Sequence, residues 1–178
     1  LSVSVGAWVH TGSRDEGAGR YGITHFLEHM VFKGTGKRSA LDIALDMDRL
    51  GGQLDAFTTK EVTCFNARVL AGYLDTALDV LGDMVGNASL DAEMIETEKQ
   101  VVVEEIRNVF DDPDDLIHGL AAEEVFGEHP LARPILGTEA SVQAFGRDDL
   151  TGFVAERYRA GNLIVAVVGP LPHDEMRA

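Results

Sequence analysis

Strands and helices follow one another along this chain without a regular βαβ alternation, and that order limits the fold more than any other feature. The opening "LSVSVGAWV" sets Val3, Val5, Ala7 and Val9 against Ser2, Ser4, Gly6 and Trp8, the period-two mark of a strand. A polar, glycine-rich stretch from Gly12 to Gly22 reads as loop. A short helix is predicted from Thr24, as N-cap, through Phe32, where "KGTGKRS" ends it. Ser39 caps a second helix to Leu50, with Leu41, Ala44, Leu45, Met47 and Leu50 supplying its apolar spacing, and Gly51-Gly52 stops it. Two strands follow at once, Gln53 to Thr58 and Val62 to Val69, joined by a tight turn near Lys60. Helices are then predicted over 73–85, 91–110, 116–126 and 148–158, with "DDPDD" at 111–115 breaking the second from the third. "GEHPLARPILGT" is a two-proline loop, and "NLIVAVV" at 162–168 is a closing apolar strand. The pattern argues for an α+β fold over a doubly wound sheet.

A chain of 178 residues fits one domain and can bury a core without disulfides or structural metals. Both ends read as cut: a strand begins at Leu1 with no lead-in, and a new helix begins within "PHDEMRA". The formal charge of −15 argues against a nucleic-acid partner, which needs clustered Lys and Arg, and against an anionic membrane surface. No apolar run approaches the ~20 residues a bilayer span needs. Nothing specifies a compartment, the cytoplasm being the default expectation. The single cysteine, Cys64, lies in a strand and reads as a buried, inert thiol.

The chemistry concentrates in "THFLEHMVFKGT". On a helix, His25 and His29 are one turn apart and project from one face, so both imidazoles can reach one ion at the ~2.0–2.1 Å that zinc requires. Glu28 adjoins His29 but is displaced around the axis, beside such an ion without ligating it. From there a carboxylate can take a proton from activated water. The plain alternative is a partly exposed helix bearing two unrelated histidines. A catalytic zinc site wants a third protein ligand. The helix from Asp91 carries an apolar stripe of Ile95, Val102, Ile106 and Val109, and Glu98 and Glu105 fall inside it while Glu96 and Glu104 point elsewhere. A glutamate on a core-facing stripe must be paired, protonated or bound to a metal.

His25-x-x-Glu28-His29 is the inverted zinc motif, and the blocks around it carry a resemblance. "GSRDEGAGRYGITHFLEHMVFKGT", "GGQLDAFTTKEVTCF", "EKQVVVEEIRNVFDDPDD" and "RPILGT" resemble, in order, those of the pitrilysin (M16) family of zinc metallopeptidases, in its processing-peptidase-like branch. The resemblance covers nearly the whole chain. It implies an antiparallel sheet with helices packed on one face. It also implies a Zn2+ ion held by His25, His29 and Glu105, with Glu28 as general base and Glu98 as an acid that orients a histidine ligand. "LDAFT" resembles the sheet edge on which the family docks its peptide as an added strand, through Asp55, Ala56, Phe57 and Thr58. A plain core hairpin strand is the alternative for that segment, and Asp55 departs from the asparagine of many relatives. The function implied is a zinc-dependent endopeptidase acting on peptides or unfolded segments. Residues 1–178 are then one catalytic-type domain whose homologous second domain, or partner subunit, lies outside the chain, with a homodimer possible in a full-length form.

Two other functions fit parts of the pattern. A non-proteolytic assembly subunit on the same fold is opposed by the intact His25, Glu28, His29 and Glu105. A small-molecule metalloenzyme resembling S-ribosylhomocysteine lyase needs two cysteines, and Cys64 cannot fill both roles. His10, His118, His129 and His173 have no ligand-spaced partner and read as surface or hydrogen-bonding residues. "DDPDD" lacks the spaced ligands of a calcium loop and reads as a solvated helix terminus.

Overall fold

The computed structural model describes residues 1–174 and 176. Its frame is a four-stranded antiparallel sheet in the order β2-β3-β1-β4, from β1 (Ser2–Val9), β2 (Gln53–Thr58), β3 (Thr63–Leu70) and β4 (Leu163–Val168). The alternation in β1 does what the sequence implies. Val3, Val5, Ala7 and Val9 are buried and continue into Phe65, Ala67 and Val69 of β3 across a register that sets Ala7 opposite Phe65. Helix α3 (Leu74–Asn87) closes this core with Ala77, Val80, Leu81 and Met84. Among the described residues the opposite face carries no helix, and Trp8, Phe57, Ile164 and Val168 are exposed there. Helices on one face of an antiparallel sheet are the α+β arrangement expected.

A second core forms beneath α1 (Ile23–Val31). Its Ile23, Phe26, Leu27 and Met30 pack against Ile95, Val102 and Ile106 of α4 (Ala92–Asp111), and against Val142, Phe145, Leu150 and Phe153 of the C-terminal region. There lie α6 (Glu139–Ala144) and α7 (Arg147–Arg157); the short α6 occupies part of a stretch, 139–147, to which the sequence assigns no element. Helix α1 is therefore packed on nearly all sides. Apart from the buried Thr24, its polar residues are His25, Glu28 and His29, which at 100° per residue form one stripe about 100° wide. The helix has one side left for chemistry.

The structure corrects two local expectations. Thr24 is not the N-cap of α1. Gly22 holds that position in the left-handed region (φ 88°), and the orphan N–H groups of Gly22 and Thr24 donate to the carboxylate of the distant Glu16, at 2.8 and 3.0 Å. Only glycine fits, because a Cβ on Gly22 would stand 2.3 Å from Leu136 O, and one on Gly137 would stand 2.2 Å from Tyr21 O. That close crossing is the physical content of "RPILGT". In α2 (Ala40–Arg49), Ser39 does cap and Met47 is buried, but the inward face is Ile43 with Met47. Leu41 and Leu45 are exposed, because the short helix touches the sheet along one narrow line.

Helix α5 (Pro113–Phe126) starts at the expected break, with Asp112 as its N-cap and Pro113 in its first turn. None of its residues is buried, and Ile117, Leu120, Val125 and Phe126 face outward. Strand β4, expected to be apolar, is so, yet Ile164, Val165 and Val168 are exposed because it is an edge strand. The helix expected to begin within 172–178 lies partly outside the described residues. No described helix is long and apolar enough to cross a membrane.

Candidate metal centre

Helices α1 and α4 cross so that the two stripes read from the sequence face each other. His25 Nε2 lies 3.8 Å and His29 Nε2 3.4 Å from Glu105 Oε2. One ligand atom from each of the three residues falls within 4.8 Å of the others. Tetrahedral ligands at 2.0–2.1 Å from zinc are about 3.3 Å apart, so the spacing suits that ion. The donor set agrees. Glu105 Oε2 is buried and has no hydrogen-bond partner, although two imidazole nitrogens face it. A buried carboxylate oxygen left unpaired is unfavourable unless a cation completes it.

Glu98 is 3% exposed and sits about two turns before Glu105 on the same face of α4. Its Oε1 accepts a 2.8 Å hydrogen bond from His29 Nδ1, and its Oε2 contacts Lys33 Nζ at 2.6 Å. Burial raises its carboxyl, but the His29 and Lys33 hydrogen bonds outweigh this and hold it below the usual carboxylate range. An ionised carboxylate only accepts, so His29 must carry its proton on Nδ1 and turn the Nε2 lone pair toward Glu105. For His29 itself, burial pulls the pKa down, but the Glu98 bond and the Glu105 charge carry it above the ordinary histidine value. His25 differs: burial, then the neighbouring His29, bring it down to about 4, so it is neutral at pH 7. Its Nδ1 is buried without a partner.

Glu28 stands beside the triplet. Burial raises its carboxyl above the usual range, while a hydrogen bond donated by Thr58 Oγ1 to Oε2 works the other way. Thr58 ends β2, so the strand read as a peptide-docking edge reaches the centre at that residue. Asp55 and Phe57 point to the open face, and Ala56 and Thr58 to the half-buried side. Cys64 is buried within the sheet and is not one of the three clustered residues, which removes the basis for a lyase-like reading. His129 accepts from Leu131 N–H and caps a 3₁₀ turn, while His10, His118 and His173 are exposed.

Three participants escaped the sequence reading. Lys33 is four residues past His29, and that spacing was a usable signal for a cation on the same side. Thr58 stands in the sequence only as part of the docking strand, and its bond to Glu28 follows no local rule. Glu16 is 3% exposed, with burial pushing its carboxyl up to about 7 against the two backbone N–H groups it accepts. It anchors the start of α1 and carried no periodic signal.

An antiparallel sheet with helices on one face, and an inverted His-x-x-Glu-His on the first of them, define the class as a metallopeptidase-type domain. The chain belongs to the insulinase family of peptidases, family M16, whose model its residues 1–139 match. It is 47% identical over 177 residues to an uncharacterized zinc protease of Mycobacterium leprae, covering 99% of this chain and 40% of that protein. It is 45% identical over 168 residues to the uncharacterized zinc protease YmxG of Bacillus subtilis, covering 94% of this chain and 41% of that protein. Among solved structures, a protease from Helicobacter pylori superposes with a TM-score of 0.94 at 27% identity, over 99% of this chain and 42% of that one. Pitrilysin superposes at 0.86 and 22% identity, over 99% of this chain and 19% of that one, a likeness of fold. The chain thus spans about two fifths of the length of the curated relatives it matches.

Proposed function

We propose that this chain carries the catalytic centre of a zinc-dependent endopeptidase that hydrolyses peptides or unfolded segments. One observation carries the reading. His25 Nε2 and His29 Nε2 converge on a buried Glu105 oxygen that has no other partner, with the Glu28 carboxylate alongside. His25, His29 and Glu105 would hold the ion, and the names of the relatives as zinc proteases support zinc. When bound, zinc supplies Lewis-acid polarisation of a carbonyl and a lowered pKa for water.

The protein's own groups do the rest. Glu98 fixes the His29 tautomer and ring direction. Glu28, its carboxyl raised by burial, takes a proton from the attacking water and returns it to the leaving amine. Thr58 holds one Glu28 oxygen and leaves the other to that exchange. Strand β2 is an edge strand of the sheet, so Asp55, Ala56, Phe57 and Thr58 offer a free edge on which an extended substrate adds as a strand. A homologous second domain or partner subunit would enclose that peptide. The exposed apolar residues of α5 and β4 support such a covering, as does the 40% share of the relatives' length.

Elemental analysis and a cleavage assay on the full-length protein test the reading. His25→Ala and Glu105→Gln should bind zinc at least ~10-fold more weakly. Glu28→Gln should retain zinc yet lose about 10²–10⁴-fold in hydrolysis. Undiminished zinc in either of the first two variants, or near-parental cleavage by the third, refutes it.

A further inference from the structure

The free edge of β2 leads away from the metal centre into a groove of about 770 Å³ walled on its far side by α2. We infer that this groove is a remote substrate subsite that takes an apolar side chain three to five residues from the scissile bond; the inference rests on the peptidase reading above.

Backbone geometry comes first. Thr59 N–H donates to Val62 O, so along the antiparallel ladder Phe57, Asp55 and Gln53 turn their N–H and C=O groups toward β3. Those of Leu54, Ala56 and Thr58 turn to the open edge. Ala56 N–H shows the consequence: its side-chain acceptor is the adjacent Asp55 Oδ1, at 2.9 Å and exposed. A peptide carbonyl can replace that contact without breaking the sheet.

Side-chain alternation then sets the preference. At ~3.3 Å per residue, Leu54 lies about 13 Å along the strand from Thr58, which touches Glu28. A peptide paired along this edge therefore reaches the groove about four residues from the bond at the centre. On the inner side the groove is lined by Leu54 and by Ile43 and Met47 at its base, with the small, exposed Ala44 keeping the α2 wall low and Asp48 one turn beyond it. On the outer side it meets Asn66 and Arg68 of the uncovered sheet face. Successive side chains of an added strand point to opposite sides, so the one directed inward is apolar and its neighbours are polar. Ile43 and Met47 are 2% and 3% exposed, so they form a floor that is already packed, and Ala44 marks the vacant volume.

The test uses full-length, zinc-loaded protein and its Ala44→Trp variant, which places a bulky side chain in the groove from an exposed helical position. Two peptides of about twelve residues share a central sequence, one with leucine and one with glycine four residues to either side of the scissile bond. For the leucine peptide, Ala44→Trp should raise KM about tenfold or more with kcat little changed, the scale of burying one aliphatic side chain. The glycine peptide should respond little. Anisotropy with labelled peptides on Glu28→Gln and Glu28→Gln/Ala44→Trp protein reads the same preference without turnover. Failure of the parent to cleave either peptide therefore counts against the peptidase reading alone. Equal responses of the leucine and glycine peptides, in KM and in binding, would overturn the subsite.

Discussion

Glu98→Gln is the sharpest probe of how the centre is held. The substitution keeps the shape of a side chain that is 3% exposed but leaves one carbonyl oxygen for two donors, His29 Nδ1 at 2.8 Å and Lys33 Nζ at 2.6 Å. The lysine can only donate, so it claims the oxygen, and the amide NH2 then faces His29. That arrangement favours the imidazole with its proton on Nε2, the atom directed at Glu105. Losing a partner that orients a metal ligand weakens metal affinity by about 10–100-fold, or about 1.4–2.7 kcal/mol. Zinc affinity by chelator competition at pH 7.5 measures it. Adding Lys33→Met frees the amide oxygen for His29 and should recover a large part of the loss, which a general packing defect would not allow. A Glu98→Gln protein within about twofold of the parent, or a double variant no better than the single, would refute the tautomer argument.

Three further outcomes follow from the same geometry. His25 falls from 6.5 to about 4 in the fold, so the folded state binds fewer protons than the unfolded chain between those values. Stability is therefore lost as pH falls from 6.5 toward 4, and the metal-free parent should lose up to about 3 kcal/mol relative to His25→Ala over that window, read by urea denaturation. Gly137→Ala puts a Cβ 2.2 Å from Tyr21 O at a φ of 75°, and should lower the unfolding free energy by about 2–5 kcal/mol at unchanged m-value; a shift below about 1 kcal/mol would show that the crossing is not tight. The isolated chain should bind zinc yet cleave a given peptide far more slowly than the full-length protein, because near-attack positioning is worth up to ~7–11 kcal/mol and half of the expected enclosure lies elsewhere; equal turnover would show that this domain suffices.

What could be read along the chain was whatever repeats within a few residues. The His25–His29 pair follows from 3.6 residues per turn, as does the placing of Glu98 and Glu105 among Ile95, Val102 and Ile106. The buried row of β1 follows from period two, and the cap at Ser39 from a side chain that bonds a nearby N–H group. Patterns of this kind are decided by local backbone geometry, so they survive into the fold with boundaries shifted by one to three residues.

Tertiary structure decided which of these surfaces meet. Glu105 reaches the histidines only because α1 and α4 share the second core, a closure across some eighty residues that no periodicity encodes. Packing against the sheet likewise selects Ile43 over Leu41 and Leu45 as the inward face of α2, and other long-range contacts bring Thr58 to Glu28 and tie the start of α1 to Glu16 and to the Gly22–Gly137 crossing. Burial itself is a property of the assembled chain, and so are the charges it sets: His25 neutral, Glu28 raised and Glu98 held ionised. The residue types for the chemistry were written in the sequence, while their distances, tautomers and protonation came from packing them out of water.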